Sequence, residues 1–235
     1  RRQRQMCIRD SKTSAPALSE TIELFRPYVE EGRNIVCFSI SNSMSSSGNV
    51  MQLAAEELNA QDLITVIDSA NLSTGIGLLV IEAAILAQNN KTAAEISVAV
   101  ENLKPYVRAS FVVDTLTYLH RGGRCSAIAA MAGGLLKLHP QIIVEHGAMK
   151  PTKKYRGKMD SVILSYVKDM EPALKHARPD RVFITHSGCE PTIINAVRSY
   201  LEGLGIFREI LETRAGGVIS SHCGPGTLGV LFIES

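Results

Sequence analysis

The chain has 235 residues, of which 45% are hydrophobic and 20% are charged, and its formal net charge is +2. This length and apolar fraction allow one or two domains with a sizeable buried core, and the small net charge argues against nucleic acid or an anionic membrane as the main partner. The five cysteines form no C-x-x-C pair and are odd in number, which indicates neither a zinc site nor a disulfide framework and favours the reducing cytoplasm. No run of about 18 apolar residues predicts a membrane span.

The first eleven residues, RRQRQMCIRDS, differ from the rest of the chain because they carry four arginines and no apolar periodicity. We interpret residues 1–11 as foreign to the fold and expect the native N-terminal part to be missing.

Helices and strands alternate in the first half of the chain. Hydrophobic periodicity predicts helices over 18–31, 50–58, 76–88 and 91–108, and strands over 34–41, 63–69 and 109–114. This alternation predicts a Rossmann-like parallel sheet covered by helices. Ligands of such sheets bind at the carboxyl ends of the strands, which here carry SISNSMSSSGN, IDSANLSTG and VVDTLTY.

The pattern changes after Asp114. The stretch GGRCSAIAAMAGGLLKL predicts a loop and a short apolar helix, and PQIIVEHGAMKPTKKYR predicts a hairpin across His146-Gly147. Helices over 159–176 and 191–203 and strands at RVFITHSG, GVISSHC and TLGVLFIE follow. We therefore predict an α/β chain of two domains: residues 12–110 with the parallel sheet and residues 111–235 as an α+β domain with a mixed or antiparallel sheet.

Several polar motifs leave two interpretations open on local grounds. Thr13 and Ser14 before Pro16 favour a helix cap. The six serines and one asparagine of residues 39–47 suit either a carboxylate cradle or a solvated turn. The glycines before Arg124 and Ser126 fit either a backbone nest or a tight turn. Gly75-x-Gly77 is a partial dinucleotide fingerprint that helix packing explains better, and His222 in SSHCGPGTLGV is either a turn residue or a ligand.

Six stretches in this order resemble the DegV family of lipid-binding proteins, which includes the carrier subunit of bacterial fatty-acid kinase. They are TSAP, SISNSMSSSGN, VIDSANLSTGIGLLVIEAA, VVDTLTYLHRGGRCS, LLKLHPQIIVEHGAMKPTKKYRGK and ISSHCGPGTLGV, and they run from about Lys12 to Glu234. The resemblance implies a long-chain fatty acid between the two domains, a partner ATP-dependent kinase, and no cofactor besides the bound lipid. It also implies that a segment of sixty or so residues precedes the part present here.

The resemblance implies that Thr13, Ser41, Asn42 and His222 hold the carboxylate. Ser45, Arg124 and Ser126 are then candidates for the pocket or for the partner surface. Two departures stand out, because Asn42 replaces a serine of the family pattern and Ser46-Ser47 replaces Gly-Thr. Cys223 stands where the family has threonine, with little expected consequence.

Two other functions remain open from the residues themselves. One is a serine-dependent acyl hydrolase or transferase that uses Ser41, Ser43 or Ser45 with His222 as the base, although the sequence has no nucleophile elbow. The other is a dinucleotide-binding protein that uses Gly75-x-Gly77.

Overall fold

The computed structural model describes residues 12–125 and 138–235, which divide into two units. The first unit comprises Ser14–Pro105 together with His146–Ala148, and the second comprises Tyr106–Glu145 and Met149–Ser235 and also takes in Thr13. Residues 1–11 and most of the predicted apolar helix after Cys125 lie outside the described residues, as does Ser126.

The first unit is built on a small parallel sheet. Its elements are α1 (Leu18–Glu30), β1 (Ile35–Ser39), α2 (Ser47–Glu57), β2 (Ile64–Asp68), α3 (Thr74–Gln88) and α4 (Ala93–Leu103). β1 and β2 pair in parallel, with Ile35 opposite Ile64 and Ser39 opposite Asp68. The parallel sheet and the predicted order of its helices are confirmed.

A cluster of small and apolar side chains holds this unit together. Phe25 of α1 and the alanines of α2 bury against Ile64, and Cys37 packs at the edge of the cluster. Because strand side chains alternate between faces, Ile35 and Cys37 pack towards α1 and α2, whereas Val36 and Phe38 lie on the opposite face of the sheet. The polar strand ends therefore emerge from a sheet whose position is fixed by packing on its helices.

The second unit is built on a six-stranded mixed sheet. Its elements are β3 (Val107–Val112), α5 (Thr117–Gly122), β4 (His139–Glu145), β5 (Ala148–Tyr155), α6 (Met159–Asp169), α7 (Glu171–Leu174), β6 (Ala177–His186), α8 (Pro191–Gly203), β7 (Glu209–Arg214), α9 (Gly217–Cys223) and β8 (Leu228–Glu234). The strand order is β5-β4-β3-β8-β6-β7. β6 pairs in parallel with β7 and antiparallel with β8. The mixed sheet predicted for this part of the chain is confirmed.

The core of the second unit lies between this sheet and the helices α6 and α8. Tyr166 of α6 is completely buried there, and its hydroxyl lies 2.8 Å from both Oγ and O of Ser110 on β3. The same hydroxyl accepts a 3.1 Å hydrogen bond from the N–H of Val230 on β8. One side chain thus ties the helix layer to two neighbouring strands.

The hairpin across His146-Gly147 is confirmed. Both residues have positive φ, 49° and 76°, as a two-residue type I′ connection requires. Glycine adopts this conformation without strain, which explains its presence at the second position.

Two predicted strands were wrong in placement or type. β3, predicted as the third strand of the parallel sheet, pairs antiparallel with β4 and β8 in the six-stranded sheet. Five of its six residues are buried, so its unbroken apolar run looks like that of a parallel strand. Gly217–Cys223, predicted as a strand, is the helix α9, and its single short apolar pair gave no periodicity to distinguish the two.

No helix within the described residues is long and apolar enough to cross a membrane.

Candidate functional site

Thr13 and His222 form a hydrogen-bonded pair in the second unit. Thr13 Oγ1 lies 2.7 Å from His222 Nε2, although the two residues are 209 positions apart in the chain. The local prediction of a helix cap for Thr13 was wrong, because α1 begins at Leu18 after Ala17, which makes no side-chain cap. The structure therefore brings together two of the four residues predicted to hold a carboxylate.

The His222 ring is half-buried near the C-terminal end of α9. Burial, and to a smaller degree the positive charge of Arg124, lower the pKa of the ring below its ordinary 6.5. The neutral form of the ring therefore predominates at pH 7, with the proton on one of the two nitrogens. Its Nδ1 is buried and has no hydrogen-bond partner among the described residues. Within the described part of the chain, no carboxylate orients the ring as one would in a catalytic triad.

Ser41 lies directly after β1, in the first unit, and is only 2% exposed. Its Oγ donates to the carbonyl oxygen of Gly147 at 2.7 Å, and Ser43 Oγ donates to the same oxygen. The two hydroxyl oxygens are 3.1 Å apart, so either hydroxyl can donate to the other instead of to the carbonyl. Both hydroxyls thus donate to a backbone carbonyl rather than to a general base.

Asn42 is exposed beside Ser41 and is anchored through its backbone. Its N–H donates to Asp68 Oδ1 at 3.3 Å, and the N–H of Ala70 donates to the same atom at 2.9 Å. A Cβ on Gly48 would lie 2.5 Å from Asn42 Oδ1, so the amide oxygen rests against the bare backbone of that glycine. The amide oxygen of Asn42 therefore lies against α2.

The remaining candidates have local roles. Ser45 Oγ accepts from the N–H of Ser47 at 3.2 Å and lies 2.8 Å from its Oγ, an arrangement typical of a turn that leads into a helix. Arg124 is exposed, and its guanidinium donates to the carbonyl oxygen of Gly122 at 2.7 Å. Gly123, with φ of 65°, ends α5 as a left-handed cap, so the glycine pair is a helix terminus rather than a nest. Ser126 lies outside the described residues.

The partial dinucleotide fingerprint packs against its own loop. A Cβ on Gly75 would lie 2.6 Å from Asn71 Cγ, and the N–H groups of Gly75 and Gly77 donate to Leu72 and Ser73 carbonyls. These amides are therefore occupied, whereas a phosphate cradle needs free ones.

Metal and thiol chemistry find little support in the described part of the chain. No group of three or more His, Cys, Asp or Glu side chains is arranged there to hold a metal ion. Burial raises the pKa of the Cys223 thiol, beside His222, to about 12, so this thiol is not a nucleophile at neutral pH.

Two features of the Thr13–His222 and Ser41–Gly147 contacts were not predicted from the sequence. The acceptor for Ser41 is a backbone carbonyl in the β4–β5 turn, 106 residues away, and backbone atoms leave no mark in sequence. α5, which carries Gly122, was missed as well because only six residues form it. The hairpin signal at His146-Gly147 could have indicated a turn carbonyl there, but not its partner.

The fold and these clusters define a two-unit α/β protein whose polar side chains gather at strand and helix ends. A family model described as "Uncharacterised protein, DegV family" matches residues 5–235. A DegV domain-containing protein of Clostridium perfringens is 32% identical over 216 residues, which cover 90% of this chain and 74% of that protein. The chain belongs to the DegV family.

Solved structures share the fold. One, described as showing fatty acid binding of a DegV family protein from Thermus thermophilus, has a TM-score of 0.85 and 27% identity, covering 95% of this chain and 79% of that chain. Another is the Streptococcus pneumoniae Fatty Acid Kinase (Fak) B3 protein loaded with linoleic acid. It has a TM-score of 0.84 and 20% identity, and the match covers 100% of this chain and 83% of that chain.

Proposed function

We propose that this chain binds one long-chain fatty acid and holds its carboxylate with Thr13, Ser41, Asn42 and His222. The observation that carries the proposal is the 2.7 Å hydrogen bond between Thr13 and His222, which joins two distant motifs of the family pattern within one unit. Fatty acid binding by the Thermus thermophilus relative, at 27% identity, supports the same ligand class.

The chemistry of the two clusters suits a carboxylate. Thr13 and Ser41 carry hydroxyl donors, Asn42 carries an amide donor, and a neutral His222 offers one N–H. None of these groups brings a fixed positive charge, so the head group would be held by hydrogen bonds rather than by a resting ion pair. A hydrogen bond to a charged group contributes about 1.5–3 kcal/mol.

The acyl chain supplies most of the affinity in this proposal. Burial of about 14 methylenes is worth about 11 kcal/mol before association and ordering are subtracted. The head group then sets depth and orientation, and it discriminates acids from neutral lipids of the same length.

The chain acts as a carrier in this proposal, and the chemistry is carried out by a separate ATP-dependent kinase. The sequence has no nucleotide-binding motif of the G-x-x-x-x-G-K-[ST] type. The shared fold with a protein named as part of a fatty acid kinase motivates the choice of partner. A hydrolase is less well supported, because Ser41 donates to a carbonyl oxygen and His222 has no orienting carboxylate among the described residues.

The cytoplasm is the proposed compartment. Cys37, Cys125, Cys189 and Cys223 are free thiols, as expected where glutathione and thioredoxin keep cysteines reduced.

Lipid extraction tests the ligand class. The protein is purified under native conditions, denatured, and extracted for mass spectrometry, with Ser41→Ala prepared in parallel. We expect fatty acid in near-stoichiometric amount from the wild type and less from the variant. Repeated preparations that contain no fatty acid and acquire none from an added mixture would argue against the proposal.

Phosphoryl transfer tests the carrier role separately. With a fatty-acid kinase catalytic subunit and ATP, acyl phosphate should form only when this protein is present. Ester hydrolysis by the protein alone, abolished in Ser41→Ala, would favour the hydrolase instead.

A further inference from the structure

Two aromatic side chains pack closely against glycines where α5 and α9 meet. His222 of α9 contacts Gly122, and Tyr118 of α5 contacts Gly224, which follows α9. A Cβ placed on Gly122, the last residue of α5, would lie 2.8 Å from Cε1 and 3.2 Å from Cγ of His222, and closer still to Nδ1. The imidazole therefore occupies the space that any side chain at position 122 would take.

The second contact runs in the opposite direction. Gly224 follows α9, has φ of 79°, and a Cβ there would lie 2.6 Å from Cε2 and 3.0 Å from Cγ of Tyr118 on α5. Tyr118 and Gly122 are one helical turn apart, so the same face of α5 contacts His222 through Gly122 and Gly224 through Tyr118. The two contacts hold the end of α9, which carries His222, against α5.

We propose that Gly122 is a positioning residue of the carboxylate site, acting through His222. Real Cβ atoms essentially never approach a neighbour to less than 3.0 Å, so a methyl group at position 122 must move the ring and residue 122 apart. Nε2 now lies 2.7 Å from Thr13 Oγ1, and hydrogen bonds to nitrogen weaken beyond about 3.2 Å. A displacement of the ring by several tenths of an ångström would therefore weaken the Thr13–His222 hydrogen bond. This inference rests on the proposed function, in which that pair receives the carboxylate.

The contact with Gly122 involves Nδ1 of the His222 ring, whereas Nε2 makes the hydrogen bond to Thr13. Nδ1 is buried against Gly122 without a hydrogen-bond partner among the described residues, so no polar group there orients the ring. Steric fit to Gly122 takes the place that a carboxylate or carbonyl usually has behind a functional histidine. The orientation of His222 is thus set by its packing against Gly122, which has no side chain.

Two glycine-to-alanine substitutions in helices separate this role from a general effect. Gly122→Ala introduces the overlap, whereas Gly203→Ala, at the end of α8, adds a Cβ that meets nothing within 4 Å. Both gain helix propensity, so the control matches the backbone effect. Affinity is measured for palmitic acid and for hexadecanol, which lacks the carboxylate.

We expect Gly122→Ala to weaken palmitic acid binding about tenfold and to leave hexadecanol binding within about twofold. Gly203→Ala should change neither. In a His222→Ala background, Gly122→Ala should have no further effect, since the residue it acts through is gone. An equal loss for acid and alcohol, or the same loss with and without His222, overturns the inference.

A measurement without lipid keeps this test separate from the proposed function. The His222 ring is titrated by NMR, and Gly122→Ala should move its pKa up towards 6.5 because the displaced ring is better solvated. If the wild type binds neither lipid, the proposed function fails while this shift still reports on positioning. If palmitic acid binds the wild type but Gly122→Ala changes neither its affinity nor the titration, the positioning role fails alone.

The double variant Gly122→Ala with His222→Ala serves as a control for loss of folding. If Gly122→Ala does not fold because of the overlap, Gly122→Ala with His222→Ala should recover the wild-type melting temperature. A double variant that is equally unfolded would show that Gly122 does not act through His222.

Discussion

Replacement of His222 by alanine separates the head group from the tail. The substitution removes the partner of Thr13 Oγ1 and one N–H donor of the proposed site, and it leaves the sheets and their core untouched because the ring is only half-buried at the end of α9. We therefore expect a loss of carboxylate recognition without a loss of acyl-chain binding.

The size of the loss follows from the group that is removed. A hydrogen bond to a charged group contributes about 1.5–3 kcal/mol, which corresponds to about 10- to 150-fold in affinity. The tail contributes about 11 kcal/mol gross from about 14 methylenes, so binding itself persists. Palmitic acid should therefore bind His222→Ala about 10- to 150-fold more weakly, while hexadecanol binds as before.

Competition with a fluorescent fatty acid analogue measures both affinities on the same preparations. His120→Ala is the control, because His120 is an exposed histidine on α5 in the same unit. Equal weakening of acid and alcohol would mean that His222 supports the fold and not the head group. An unchanged acid affinity would remove His222 from the site.

Three further predictions concern stability. Gly147→Ala should lower the free energy of unfolding by at least about 1–2 kcal/mol, since alanine is strained at φ of 76° and its Cβ would lie 2.7 Å from Ser41 Oγ; an unchanged urea midpoint would contradict this. Tyr166→Phe should lower the free energy of unfolding by about 1–3 kcal/mol, because it removes the hydroxyl that accepts from the buried N–H of Val230. Tyr28→Phe, on the exposed side of α1, should change it by no more than about 0.5 kcal/mol. Equal effects of the two substitutions would refute the role of the buried hydroxyl. The lowered pKa of His222 stabilises the fold above pH 6.5, and this contribution is lost as the pH falls through the folded-state pKa. His222→Ala should accordingly show a flatter loss of urea resistance between pH 7.5 and 5, and an identical slope would contradict the cause given for the shift.

Local periodicity was enough to predict most elements but not the partner of every strand. α8 begins at Pro191 and ends at Gly203 as predicted, because proline at the first turn and an amphipathic stripe mark it. β3 follows a helix as a parallel strand would, and its partners β4 and β8 lie far along the chain. Strand order depends on packing between distant segments, which one-dimensional patterns do not contain.

The candidate site shows the same division. Residue types and family pattern pointed to Thr13 and His222, and the structure pairs them. The role of Gly122 was not visible, because a glycine at a helix end ordinarily indicates a cap. Only the position of the His222 ring shows that this glycine also provides space.

Direct titration of the delipidated protein with palmitic acid by calorimetry tests whether the chain binds a fatty acid through its carboxylate. We expect one molecule bound per chain, with a negative heat-capacity change from burial of the acyl chain. Hexadecanol should bind more weakly, because it offers no carboxylate to Thr13, Ser41, Asn42 and His222. Saturation with no preference for the acid would contradict the proposed head-group site, and the absence of binding for both ligands would contradict the proposed function itself.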